Sequence, residues 1–170
     1  MLAIALIVLG ILTRFLPHAP NFNPAIAIAL FGGYYLNKKY ALSVPLLLMV
    51  ISDIFLGLHN TILFTWGSVV LISILGLSQK KNKSILNVAG FSLISAVLFF
   101  VITNFGVWFS GWYPYTLKGL TDCFIMGIPF FRATLLSTLV YAAVMFGAYE
   151  LIARLVKNTR FAAALVSELK

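Results

Sequence analysis

The sequence predicts an all-α integral membrane protein: a bundle of about six transmembrane helices with an aromatic outer loop or short helix before the last span. Three observations carry this. Hydrophobic residues make up 62% of the 170-residue chain and charged residues 9%, too little polar material to coat a soluble domain of this size. The apolar residues fall in long runs separated by short breaks, as expected of ~20-residue spans joined by loops. Basic residues gather at the ends of those runs, at Lys38 and Lys39, at Lys80, Lys81 and Lys83, and at Arg154, Lys157 and Arg160. That is the charge bias that orients membrane proteins.

Residues 1–170 read as a single transmembrane domain. The first span, 1–16, stops at Pro17. It resembles a signal peptide, but it lacks a basic leader, Arg14 follows its apolar stretch, and no small-x-small cleavage pattern comes next. It is therefore expected to be a retained helix. "LPHAPNFNP" holds three prolines and cannot be helical throughout. Pro24 opens the second span, 24–37, which Asn37, Lys38 and Lys39 end. The third, 40–58, carries Pro45 early and Ser52 and Asp53 late. The fourth, 61–78, is closed by "QKKNK", and the fifth is 84–104. Residues 105–128 read as an outer cap, Pro129 starts the sixth span, 129–156, and the tail to Lys170 reads as a short amphipathic surface piece.

Six spans place nine of the twelve Lys and Arg residues on one side, leaving Arg14, Lys118 and Arg132 on the other. Both termini are then cytoplasmic, and the "HAPNFNP", "LHN" and aromatic loops face out. The second span is short, about 21 Å of helix against a ~30 Å apolar core. If it only dips into the bilayer, five spans with an external N-terminus satisfy the charge rule equally well.

Composition also excludes functions. The net charge of +8 is spread over span ends and forms no nucleic-acid patch. One cysteine, Cys123, precludes an internal disulfide or a Cys-x-x-Cys redox pair. His18 and His59 lack metal-ligand spacing, so neither a metal nor another cofactor is expected. There is no glycine-rich nucleotide loop, so the chain cannot hydrolyse ATP alone. Asp53 and His59 form no recognisable catalytic arrangement, and no enzymatic activity is expected.

The chemistry concentrates at the outer end. "FGVWFSGWYPYTLKG" places Trp108 and Trp112 among glycines and a proline. Single tryptophans at this depth usually form an interfacial belt. Irregular backbone there, however, must be buried in protein or line a wet cavity. The stretch is thus expected to fold as a lid of rings, suited to a flat organic ligand. Asp53 lies within apolar "LLLMVISDIFLG", where a carboxylate must pair, cap or bind something. An ion pair with Arg14 or Arg132 is one reading and a ligand contact the other. Arg132, in the first turn of the sixth span, can snorkel outward as an anion clamp. The candidate binding set is Arg14, His18, Asn21, Asp53, His59, Asn104, Trp108, Trp112 and Arg132. Thr134, Thr138 and Tyr141 form a polar stripe, and Glu150 and Arg154 an i, i+4 pair at the inner end. Small residues at Ala25, Ala29 and Gly33, and at Ala143 and Gly147, mark close helix packing, within the chain or against a partner.

"RFLPHAPNFNPAIAIALFGG", "SDIFLGLHN", "TNFGVW" and "PFFRATLLSTLVY", in this order, resemble a family of small bacterial inner-membrane proteins of no assigned function. That family is distantly similar to the substrate-binding S subunits of energy-coupling-factor (ECF) vitamin transporters. The resemblance implies six spans, a ligand site at the outer face, and docking on a transmembrane coupling subunit with two ATPases. Such subunits carry an Ala-xxx-Ala motif on their first helix; here Ala3, Ala5 and Gly10 do not make that pattern. Two functions follow as expectations: capture of a small vitamin-like or other organic nutrient, or a non-catalytic structural or assembly role in a larger membrane complex.

Overall fold

A computed structural model describes residues 2–17 and 19–156, all in helices and connecting loops. The helices are α1 (Leu2–Phe15), α2 (Ala25–Tyr35), α3 (Lys38–Leu56), α4 (Ile62–Ser78), α5 (Ile85–Val107) and α6 (Leu117–Val156), with a π-helical turn at Trp108–Trp112 after α5. The expected surface tail beyond 156 lies outside the described residues.

Three helical stretches are long and apolar enough to cross a membrane: Lys38–Leu56, Ile85–Trp112 and Leu117–Leu155. The other three helices, α1, α2 and α4, are apolar but shorter. Six full-length spans is therefore more than these helix lengths supply. The shortest, α2, would reach only about 16 Å at 1.5 Å per residue.

What α2 lacks in length it makes up in burial. Every one of its 11 residues is buried, so it has no polar face, as expected for a helix enclosed by others. It runs through the middle of the bundle and packs on all five other helices. Its small residues allow this. A Cβ built on Gly33 would lie 2.7 Å from the Cα of Gly76 on α4, so only glycine at both positions lets the two backbones meet. Ala25 and Ala29 are buried on the same helix. At the end of α2, Phe31, Tyr34 and Tyr35 pack on Phe146 and Tyr149 of α6.

The second expectation to be corrected concerns residues 105–128. Only 108–116 depart from α-helix, because α5 continues to Val107 and α6 begins at Leu117. Pro129 lies inside α6. A proline removes one backbone N–H and crowds the carbonyl four residues before it, but the surrounding apolar turns continue past it. Gly111, with φ 82°, supplies the left-handed residue that reverses the chain at the π-turn. Asn37 and Ser84 cap α3 and α5 by accepting hydrogen bonds from the N–H groups of Tyr40 and Asn87.

The helix ends sort into two sets. The basic end carries the α2–α3 and α4–α5 connections with Lys38, Lys39, Lys80, Lys81 and Lys83, and the last turn of α6. There Asn87 donates to the Tyr34 hydroxyl (3.1 Å) and Tyr35 donates to Glu150 (2.5 Å). Glu150 makes no ion pair with Arg154 among the described residues, so the expected i, i+4 pair is replaced by the bond to Tyr35. The aromatic end carries the α1–α2, α3–α4 and α5–α6 connections.

Candidate functional site

At the aromatic end α1, α3 and α4 are pinned together by one buried carboxylate. Asp53 Oδ1 lies 2.8 Å from an Arg14 guanidinium nitrogen, and its Oδ2 accepts a 2.8 Å hydrogen bond from the Trp66 indole. The guanidinium also donates to Ser52 Oγ (2.6 Å) and approaches the Met49 sulfur at 3.1 Å. Asp53 is 2% exposed at its side chain and Arg14 16%, so the pair is closed on the Asp53 side and opens to the outside through Arg14. A carboxylate in apolar surroundings requires such compensation, and both of its oxygens receive it.

Arg14 opens into a cavity of about 390 Å³. Its polar lining groups, apart from Arg14, are Asn21, Asn23, Thr61, Thr65, Thr103, Asn104 and Thr134, with His59, and they are set among apolar walls of Ala25, Ile26, Met49, Phe99, Val107 and Phe130. Local structure fixes several of these groups. Asn21 adopts a left-handed conformation, φ 61°, and its carbonyl accepts from Ser137 at 3.4 Å. Asn23 Oδ1 accepts from the Ala25 N–H (3.0 Å) and so starts α2. His59 Nδ1 lies 2.9 Å from Thr61 Oγ1. Asn104 donates to the Phe100 carbonyl (2.8 Å), and Gly127 leaves room for its carboxamide, since a Cβ there would stand 2.9 Å from Asn104 Cγ. All side-chain polar atoms that are buried among the described residues have a hydrogen-bond partner.

Of the nine residues expected to bind, Arg14, Asn21, His59 and Asn104 line this cavity, and Asp53 lies behind Arg14. His18 falls outside the described residues. Arg132 stands exposed on α6 and Trp112 is 71% exposed; neither lines the cavity. Trp108 is also absent from the lining: its indole donates to the Pro114 carbonyl at 3.0 Å and its ring packs edge-on against Tyr115. Tyr115 in turn donates to the Phe109 carbonyl (3.0 Å). The aromatic stretch thus forms the tip of the α5–α6 hairpin, with Phe105 and Phe109 packed on Phe64 of α4, and only Val107, near its start, reaches the cavity wall.

Sequence reasoning places Trp66 near the outer face, as part of an interfacial belt, but leaves it and the threonines at 61, 65 and 103 out of the binding set. Trp66 could have been found from Asp53, which needs a second donor besides one arginine. The threonines carry no such signal, because a helical threonine more often bonds its own backbone, as Thr65 and Thr103 do here.

A family model covers residues 1–163. The chain belongs to a family of unknown function, DUF6580. No match was found among curated proteins or solved structures. Membership therefore names no ligand, and function must be read from the cavity itself.

Proposed function

We propose that this DUF6580 protein is a non-enzymatic, membrane-embedded substrate-capture subunit that takes up a small vitamin-like or other organic nutrient at the outer face. The observation that carries this reading is the cavity of about 390 Å³, within the size range of small-molecule sites, with neutral hydrogen-bonding side chains converging beside the Arg14–Asp53 pair. Asp53 offsets the charge of Arg14, so the walls offer amide, hydroxyl and guanidinium donors without an isolated charge. Such a lining suits a neutral or zwitterionic polar molecule with one flat apolar face, which Phe99 and Phe130 would meet.

In this reading all six helices lie in a bacterial inner membrane, the short ones held by their neighbours, with both termini cytoplasmic. The basic end then faces the cytoplasm, as the positive-inside bias favours. Energy comes from a partner, a transmembrane coupling subunit with ATPases, since the chain has no nucleotide loop of its own.

Purification of the tagged chain from its native membrane in mild detergent, with mass spectrometry of co-purifying proteins and small molecules, tests this. A coupling subunit with ATPases, or a retained organic compound, is the expected result. Stoichiometric subunits of another membrane complex without any compound would overturn it and make the chain an assembly subunit.

A further inference from the structure

A second cavity, larger than the one beside Arg14, lies at the opposite end, and the proposed uptake role does not use it. Helices α5 and α6 are tightly joined near the aromatic end, where Cys123 donates to the Asn104 carbonyl and the Phe100 and Phe131 rings stand 4.8 Å apart. Toward the basic end they enclose a groove of about 740 Å³. Its apolar walls include Val88 on α5 and Leu139 and Phe146 on α6. Ala143 and Gly147 leave it open: both are exposed, and a Cβ built on Gly147 would meet nothing within 4 Å.

The end of the groove is charged. Lys83 and Arg154 both border it, the Lys83 ammonium standing 4.2 Å from the centroid of the Tyr35 ring. Arg154 has no ion-pair partner among the described residues. The Glu150 carboxylate lines the groove as well and accepts a hydrogen bond from the Tyr35 hydroxyl, so the two cations leave this end with a net positive charge. A ligand matched to this surface has an anionic head and a long apolar body. Both walls belong to helices long and apolar enough to cross a membrane, so such a ligand would enter sideways from the bilayer.

We infer that the α5–α6 groove binds an anionic glycerophospholipid, its phosphate between Lys83 and Arg154 and one acyl chain lying along Ala143 and Gly147. Basic pockets between membrane helices recognise anionic headgroups in this way. A soluble phosphate ester would leave the apolar walls unused, and a zwitterionic lipid would bring its own cation against Lys83 and Arg154.

The test is a titration of the delipidated full chain, in dodecyl maltoside, with dioleoylphosphatidylglycerol or dioleoylphosphatidylcholine, read by native mass spectrometry. Phosphatidylglycerol is expected to bind more tightly, by about five-fold for each basic side chain that meets the phosphate. Lys83→Gln with Arg154→Gln should abolish that preference, while Glu150→Gln should retain or increase it. Gly147→Leu should weaken both lipids by filling the groove. Each variant is used only if its melting temperature stays near that of the parent, and the single charge variants replace the double one if it does not fold. Equal binding of the two lipids would overturn the inference. So would an unchanged preference in the charge variants, or displacement of phosphatidylglycerol by glycerol phosphate at equal concentration. A disulfide linking two copies of an Ala143→Cys variant would also overturn it, by making the groove a contact between chains.

Discussion

Two sets of small residues, alike in sequence, do opposite things in this fold. On α2, Gly33 lets the backbone touch Gly76 of α4 and closes a seam through the centre of the bundle. On α6, Ala143 and Gly147 are spaced in the same way and face open space, leaving a groove between α5 and α6. Small-xxx-small spacing thus marks where a close approach is possible, and the rest of the helix decides whether it happens. Helix α2 is apolar all round and short, so it gains by being enclosed. Helix α6 is 40 residues long and meets α5 closely only along part of its length.

Gly33→Val should break the comparison's closed side and is expected to have the largest effect. Its side chain would meet backbone, which cannot rotate away, and the loss should be ~3 kcal/mol or more, visible as a collapse of the melting temperature or of folded yield. Asp53→Ala comes next. It leaves Arg14 without its counter-charge in a partly closed site, a cost of about 3 kcal/mol by thermal unfolding in detergent. Replacing both partners, Arg14→Met with Asp53→Leu, should recover much of that loss, because no charge then remains unpaired.

Trp66→Phe is smaller. It removes one donor to an ionised carboxylate, worth about 2 kcal/mol, and should sensitise the protein to Arg14 substitutions beyond the additive sum. Gly147→Val should be the mildest, within about 0.5 kcal/mol of the parent, since its Cβ enters empty space. A loss at Gly147 comparable to that at Gly33 would mean that the groove is closed in the folded protein.

Much of this was legible in the sequence. Helices α1 to α5 lie where prolines, asparagines and charges interrupt the apolar runs, within a few residues at each end. Asp53 announced itself by its apolar neighbours, and Arg14 was one of two partners named for it. The start of α6 was not legible. Pro129 reads as a first-turn residue and the residues before it read as a cap, yet α6 already begins at Leu117, and apolar contacts with α5 carry it past Pro129. The part of Trp108 was hidden for a related reason: its indole partner is a carbonyl six residues along the same turn, which composition cannot reveal. The candidate site is half legible, because its arginine and asparagines stand out in an oily chain while its threonines resemble any helix threonine.

The central claim is that the aromatic-end cavity holds a small organic molecule, and its most direct test is a comparison of the small molecules extracted from two purified chains. One is the parent and the other Thr103→Phe, which puts a ring into the cavity. The account predicts a compound present at close to one per parent chain and lost from a variant that melts normally. No compound in either, or the same compound retained equally by both, would contradict it.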